Sequence, residues 1–312
     1  MKKQEFRPEG IVNPEDSVYL CGIKGLTRAM NEGRILQSKC IMCDSEHNLH
    51  LRFGNIKGII PREEAALGIR ENIVKDVAII TRVNKPVCFV VEKITQNEGE
   101  TVAFLSRRAA QKQCEDYIFS TYSEGDILNA KITHLEQFGA FADIGCGIIS
   151  MIAIDNISVS RIEHPKNRFS VGMDVKAIVK SIDCLQKRVY LSHKELLGSW
   201  EQNAKRFKPG ETVSGIVRSI ESYGIFIELM PNLAGLAELT PNIAVGSKVS
   251  VYIKSIIPDK MKVKLAIVET TDFSTDAEPF EYFYEGEHID FWRYSPTNCS
   301  KVIETVFDHA IK

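Results

Sequence analysis

Two short stretches carry the same arrangement of aromatic rings, Phe138-Gly139-Ala140-Phe141 and Tyr223-Gly224-Ile225-Phe226. Rings offered at such a site can stack on a flat ligand, and the hydroxyl of Tyr223 suits a half-wet surface better than a core. An offset of three places the two rings on opposite faces of a flat strand. Both can then serve one ligand only if Gly139 marks a bend or bulge that re-aims one of them. Core packing of Phe138 and Phe141 is the plain alternative.

A second candidate chemistry lies at Cys40-x-x-Cys43 followed by His47 and His50, which resembles a zinc-ligand string. Asp44, His47 and Asn48 form a polar cluster within it. No Walker loop, G-x-S-x-G or H-E-x-x-H motif occurs, and no paired carboxylates stand out. The chain therefore reads as a non-enzyme with no cofactor, no metal and no small-molecule substrate evident.

The elements that must position these residues repeat along the chain. Glu32-Gly33, Glu124-Gly125 and Pro209-Gly210 each open a strand-like run. Twenty-five residues after each glycine come Gly58-Ile59-Ile60, Ser150-Met151-Ile152 and Gly235-Leu236-Ala237. The copies close on Leu105-Ser106, Leu191-Ser192 and Leu265-Ala266. That constant offset marks three tandem copies of one unit. Short β-branched-rich runs punctuated by glycine, such as residues 212–217, predict a small antiparallel barrel for each. Residues 107–121 and 193–207 read as helices between copies. In the second, Leu197, Trp200, Ala204 and Phe207 recur at helical spacing, with Trp200 expected to pack on a barrel. In this register Cys40 aligns with Ile132 and Val217, and Cys43 with Leu135 and Ile220. Those are apolar positions, which cysteine fills as a buried hydrophobe.

The second and third copies resemble the S1 RNA-binding domain, the five-stranded OB-fold module of bacterial ribosomal protein S1. In the second copy the family pattern stands as Gly125, Phe138-Gly139-Ala140-Phe141, Met151, Gly172-Met173-Asp174-Val175 and Arg188-Val189-Tyr190-Leu191-Ser192. In the third it stands as Tyr223-Gly224-Ile225-Phe226, Gly235-Leu236, Gly246 and Lys262-Val263-Lys264-Leu265. The first copy is weaker, because its counterpart of the aromatic stretch is Glu46-His47-Asn48-Leu49. The resemblance implies an all-β chain of three tandem five-stranded OB-fold barrels joined by short α-helical linkers. The expected division is an N-terminal extension (1–29), a degenerate S1-like domain (30–112), a helical linker (113–121), an S1 domain (122–197), a second linker (198–204), a further S1 domain (205–268) and a C-terminal segment (269–312).

The resemblance also implies a binding face. Such barrels bind single strands on strands two and three, with aromatics stacked on unpaired bases and basic side chains on phosphates. Carried over residue by residue, that face comprises Phe138, Phe141, Asp183 and Arg188 in the second copy, and Tyr223, Phe226, Lys262 and Lys264 in the third. Ala153 and Glu238 stand where the family has histidine. The second copy has eleven extra residues, which fall in residues 158–170 and bring Arg161, Lys166 and Arg168 as candidate phosphate contacts. The first copy, without the aromatics, is expected to be structural or to bind protein, with Arg107-Arg108 as a residual basic pair.

Composition agrees with a soluble binder. Net charge is −2 overall, yet residues 205–268 sum to +4 and residues 269–312 to −7, so the basic balance lies in the body. Eight scattered cysteines, no long apolar run and no apolar stretch after the basic N-terminus predict a cytoplasmic protein with reduced thiols and no membrane partner. The expected partner is single-stranded RNA, messenger or ribosomal, with the small ribosomal subunit as a further candidate. The alternatives are a protein–protein adaptor built on degenerate barrels, and a zinc or redox protein using Cys40 and Cys43. The acidic C-terminal segment, rich in aromatics, has two expected placements: packed on the third copy, or lying on its basic face in competition with RNA.

Overall fold

The computed structural model describes residues 6–11, 13–97, 100–271 and 280–307. Two compact units emerge, one of residues 1–122 with 129–131 and 143–149, the other of 123–128, 132–142 and 150–312. No helix among the described residues is long and apolar enough to cross a membrane.

In the first unit, α1 (Asp16–Leu20) and α2 (Ile23–Glu32) precede β1 (Leu36–Lys39), β2 (Met42–Cys43), β3 (Leu49–Phe53), β4 (Ile56–Ile60), β5 (Pro86–Asn97) and β6 (Glu100–Ser106). A short helix, α3 (Val77–Ile80), lies between β4 and β5. The strands form a six-stranded sheet in the order β1-β5-β6-β4-β3-β2, rather than the closed five-stranded barrel expected. The cause is local. β1 pairs with β5 and β2 with β3, so one strand is split in two at Cys40-Ile41. There the backbone bonds Lys85 on one side and His50 on the other, at 2.9 and 2.8 Å. The inward residues Leu36, Leu49, Leu51, Ile60, Phe89 and Leu105 share one core with Cys40.

Helix α4 (Arg107–Thr121) spans the segment its sequence predicts. Ser106 caps it, accepting a hydrogen bond from the Ala109 amide at 2.8 Å. Its first residue, Arg107, is buried and donates to both carboxylate oxygens of Glu9, at 2.7 and 2.9 Å. Arg108 is 3.4 Å from Glu64. The pair read as a residual phosphate contact is thus committed to internal ion pairs.

The next two sheets are closed barrels. The first is built of β7 (Ile127–Glu136), β8 (Gly139–Asp143), β9 (Ile149–Ala153), β10 (Asp174–Asp183) and β11 (Arg188–Ser192), in the order β10-β11-β9-β8-β7. The other is built of β12 (Thr212–Glu221), β13 (Gly224–Met230), β14 (Leu233–Ala237), β15 (Lys248–Ile257) and β16 (Lys262–Thr271), in the order β12-β13-β14-β16-β15. In both, the third strand runs parallel to the fifth. Period-2 alternation turns Ala140, Ala142, Ile225 and Ile227 inward, all essentially without exposure.

Residues 193–207 do not form one helix. A 3-10 turn (Lys194–Leu197) stops at Gly198, whose φ of +80° suits only glycine. Ser199 and Gln202 then form a reciprocal capping box that starts α5 (Trp200–Ala204). Trp200 is buried among residues of the third barrel, as its spacing predicts.

The described part of the C-terminal segment packs several of its aromatics and leaves Tyr284 and Phe291 exposed. Trp292, Tyr294 and Phe307 join the core of the third barrel, and β17 (Phe291–Arg293) pairs with β18 (Glu304–Val306). Tyr294 donates its hydroxyl to the Asn232 carbonyl, in the turn between β13 and β14. Ile289 and Ile127 donate backbone bonds that tie the segment to the start of β7, at 2.9 and 2.8 Å. The aromatic turns lie at the other ends of β7 and β13. β7 is ten residues long, which is about 30 Å of strand. The placement on the RNA face in competition with phosphate is therefore not the one these residues adopt.

Candidate nucleic-acid interface

Each closed barrel presents an aromatic pair at the hairpin joining its first two strands. Phe138 sits in the two-residue turn between β7 and β8, and Tyr223 in the turn between β12 and β13. Being turn residues, neither obeys strand alternation. No bulge at Gly139 is needed to bring the rings together. The glycines are required for another reason. A Cβ on Gly139 would lie 2.5 Å from the Ile152 carbonyl oxygen, and one on Gly224 2.6 Å from that of Ala237. They let the neighbouring strand approach.

The result is the same in both barrels. The rings of Phe138 and Phe141 meet edge to face with centroids 6.0 Å apart and planes at 90°, and those of Tyr223 and Phe226 do likewise at 6.0 Å and 90°. Phe138 is 57% exposed and Tyr223 68%, while Phe141 and Phe226 are half-buried. Core packing does not describe these rings.

Strand register shows what flanks them. In the third barrel Ser219, Phe226, Leu236, Lys264 and Ser255 form one cross-strand row, so their side chains share the outer face. Lys262, two positions from Lys264 and opposite Ile257, lies on that face too, and both lysines are exposed. In the second barrel the matching row holds Met151, Tyr190 and Ser181, with Asp183 opposite Arg188. Arg188 is exposed. Asp183 accepts a bond from the Gln186 amide at 2.9 Å, which shapes the β10–β11 turn.

Tyr190 is a third aromatic on this face that the sequence pattern did not single out. The signal was its place in R-V-Y-L-S, at the position of Lys264 in K-V-K-L. His134 was also missed; its ring lies 6.2 Å from that of Phe141 and it bonds Glu136 at 2.6 Å.

The extra loop divides. Arg161 and Lys166 are exposed. Arg168 is not available to a phosphate on this face: its side chain is 3% exposed and bonded to Glu228. Nor does the Cys40 region gather ligands. Cys40 is in the core and burial pushes its thiol up, as it does that of the half-buried Cys43. His50 donates to Asp44 at 2.8 Å, a bond that holds the Asp44 carboxyl well below the usual range. Asp44 also accepts the amides of Glu46 and Asn48 at 3.0 and 2.9 Å, so the polar cluster builds a turn.

Residues 121–194 match the S1 RNA binding domain. The stretch covers the second barrel. Among curated proteins, the small ribosomal subunit protein bS1 of Staphylococcus aureus (strain COL) is 30% identical over 196 residues, 58% of this chain and 49% of that protein. The bS1 homolog of Bacillus subtilis (strain 168) is 32% identical over 168 residues, 48% of this chain and 44% of that one. The chain spans about half the length of these relatives. A solved multidomain protein with nucleic acid binding domains from Streptococcus pneumoniae overlaps 76% of this chain and 73% of its own at 11% identity, with a TM-score of 0.25. The resemblance to the S1 family thus covers the second barrel directly. The third repeats its strand order and its aromatic pair.

Proposed function

We propose that the chain binds single-stranded RNA without catalysis, across the outer faces of its second and third barrels. The observation that carries this is the repeated edge-to-face ring pair, exposed at the same hairpin of both barrels and flanked by cations. Bases stack on Phe138, Phe141 and Tyr190 in one barrel and on Tyr223 and Phe226 in the other. Arg188, Lys262 and Lys264 hold phosphates, with Arg161 and Lys166 extending the track along the loop. Asp183 shapes the turn that presents Arg188. Because its relatives bear the name of a small ribosomal subunit protein, messenger or ribosomal RNA and that subunit are the partners we infer.

The test is binding of an unstructured oligoribonucleotide by the full chain. Affinity falls steeply as salt rises, because phosphate neutralisation releases counterions. Duplex RNA competes poorly, its bases being stacked already. Phe141→Ala together with Phe226→Ala weakens binding by at least about 1 kcal/mol, the low end for one lost base stack. A folded double variant that binds the strand unchanged would sink this reading.

A further inference from the structure

A cleft of about 430 Å³ opens on the third barrel at the strand ends farthest from Tyr223, between the first residues of β12 and β15 and the last of β13. Among the described residues four cationic side chains line it, Arg168, Arg206, Arg218 and Lys248, with two carboxylates, Glu228 and Glu281, the latter bonded through both oxygens to Arg206. Glu228 is shared. Arg218 donates to its two oxygens at 2.9 and 3.0 Å, and Arg168 donates to it as well. One buried carboxylate thus serves two buried or nearly buried guanidiniums, and positive charge is left over. Nε of Arg168, in a side chain 3% exposed, has no hydrogen-bond acceptor. Such an orphaned buried donor is costly unless a ligand or water satisfies it. Burial, reinforced by the charge of Arg218, already works against ionisation of Arg168.

The remaining wall is apolar, formed by Leu197, Leu229 and Phe283, with the Arg206 guanidinium 4.9 Å over the Phe283 ring. With the forks of Arg218 and Arg206 engaged by Glu228 and Glu281, the open donor is Nε of Arg168, and a phosphate oxygen suits it in geometry and charge. A volume of this size suits a compact ligand with one apolar part.

We propose that this cleft is a second site, separate from the aromatic faces, which takes a nucleoside monophosphate. Its phosphate meets Arg218, Lys248 and Nε of Arg168, and its base lies on the apolar wall. Two sources supply that chemistry: a free mononucleotide, and the phosphorylated end of an RNA strand.

The experiment titrates the full chain with AMP, adenosine and inorganic phosphate at constant ionic strength. AMP binds, adenosine binds at least tenfold more weakly, and phosphate falls between them. Arg206→Ala with Lys248→Ala, both outside the buried triad, weakens AMP at least tenfold. The same variant keeps its affinity for an unphosphorylated oligoribonucleotide within a factor of two. Ser214→Asp, which places a carboxylate on an exposed strand position at the rim, weakens AMP likewise. A 5′-phosphorylated oligoribonucleotide that displaces AMP assigns the site to strand ends, and one that does not assigns it to free nucleotide. The proposal is overturned if AMP does not bind at millimolar concentration, if adenosine binds as well as AMP, or if folded variants bind AMP as the parent does.

Discussion

The hairpin between the first two barrel strands differs between the first copy and the other two. In the first copy, Asp44 gathers the amides of Glu46 and Asn48, the side chain of Asn48 and the ring of His50 into a polar turn. In the other two, a two-residue turn ends on an exposed aromatic. The interiors remain alike, with β-strand residues of the same apolar kind facing inward. Each unit is stabilised by its inward alternation, so the hairpin and outer face can change while the apolar core is kept. Fold and the proposed binding rest on different residues of the same strands.

That contrast can be tested at several points. The largest effect concerns a cation read as a binding residue that the structure makes internal. Glu228→Gln leaves Arg168 and Arg218 buried without a carboxylate, and should cost about 3–5 kcal/mol in urea unfolding. A loss below about 1 kcal/mol would show that the triad is not the buried network described.

A pH effect belongs to the second unit. His193 is buried among the rings of Phe169, Phe280 and Tyr282, and bonds the Ile157 carbonyl at 3.1 Å. Burial, chiefly, holds its pKa down at about 4 against an ordinary 6.5. The unfolded chain therefore binds the extra proton first as pH falls. Stability from this group is complete above pH 6.5 and is lost on going down to pH 4, by on the order of 3 kcal/mol. His193→Gln should flatten that part of the stability profile; an unchanged slope would assign it to other groups.

A smaller contrast separates the two closed barrels, which place Tyr190 and Lys264 at one position. Tyr190→Ala should weaken RNA binding by about 1 kcal/mol at every salt concentration. Lys264→Ala should weaken it mainly at low salt and lower the salt slope by about one. Identical salt dependence of the two variants would remove the distinction between a base platform and a phosphate contact. The smallest effect is expected in the first copy. His47→Ala with Asn48→Ala should leave RNA affinity within a factor of two, whereas a tenfold loss would make that hairpin part of the interface.

Much of this was legible in the residues. The offset of twenty-five, the ring pairs on either side of a glycine and the helix at 107–121 follow from local periodicity and short-range sterics, which a sequence states directly. Tyr190 was legible in principle, since it shares a register position with Lys264, yet a ring in place of a charge hid the equivalence. The split strand at Cys40-Ile41 was not. It depends on backbone bonds to Lys85 and His50, whose positions only the assembled sheet sets.

The basic residues show the limit most clearly. Arg107, Arg161, Arg168 and Lys166 look alike in a charge count. Arg161 and Lys166 reach solvent, while Arg107 meets Glu9 and Arg168 meets Glu228, partners 98 and 60 residues away. The C-terminal segment obeys the same logic, with Trp292, Tyr294 and Phe307 docked on a core built from residues far earlier in the chain. Local pattern determined the strands, the turns and the rings offered at them. Which charges were left to face a ligand was decided only by tertiary packing, because a buried ion pair needs two surfaces that the sequence does not bring together.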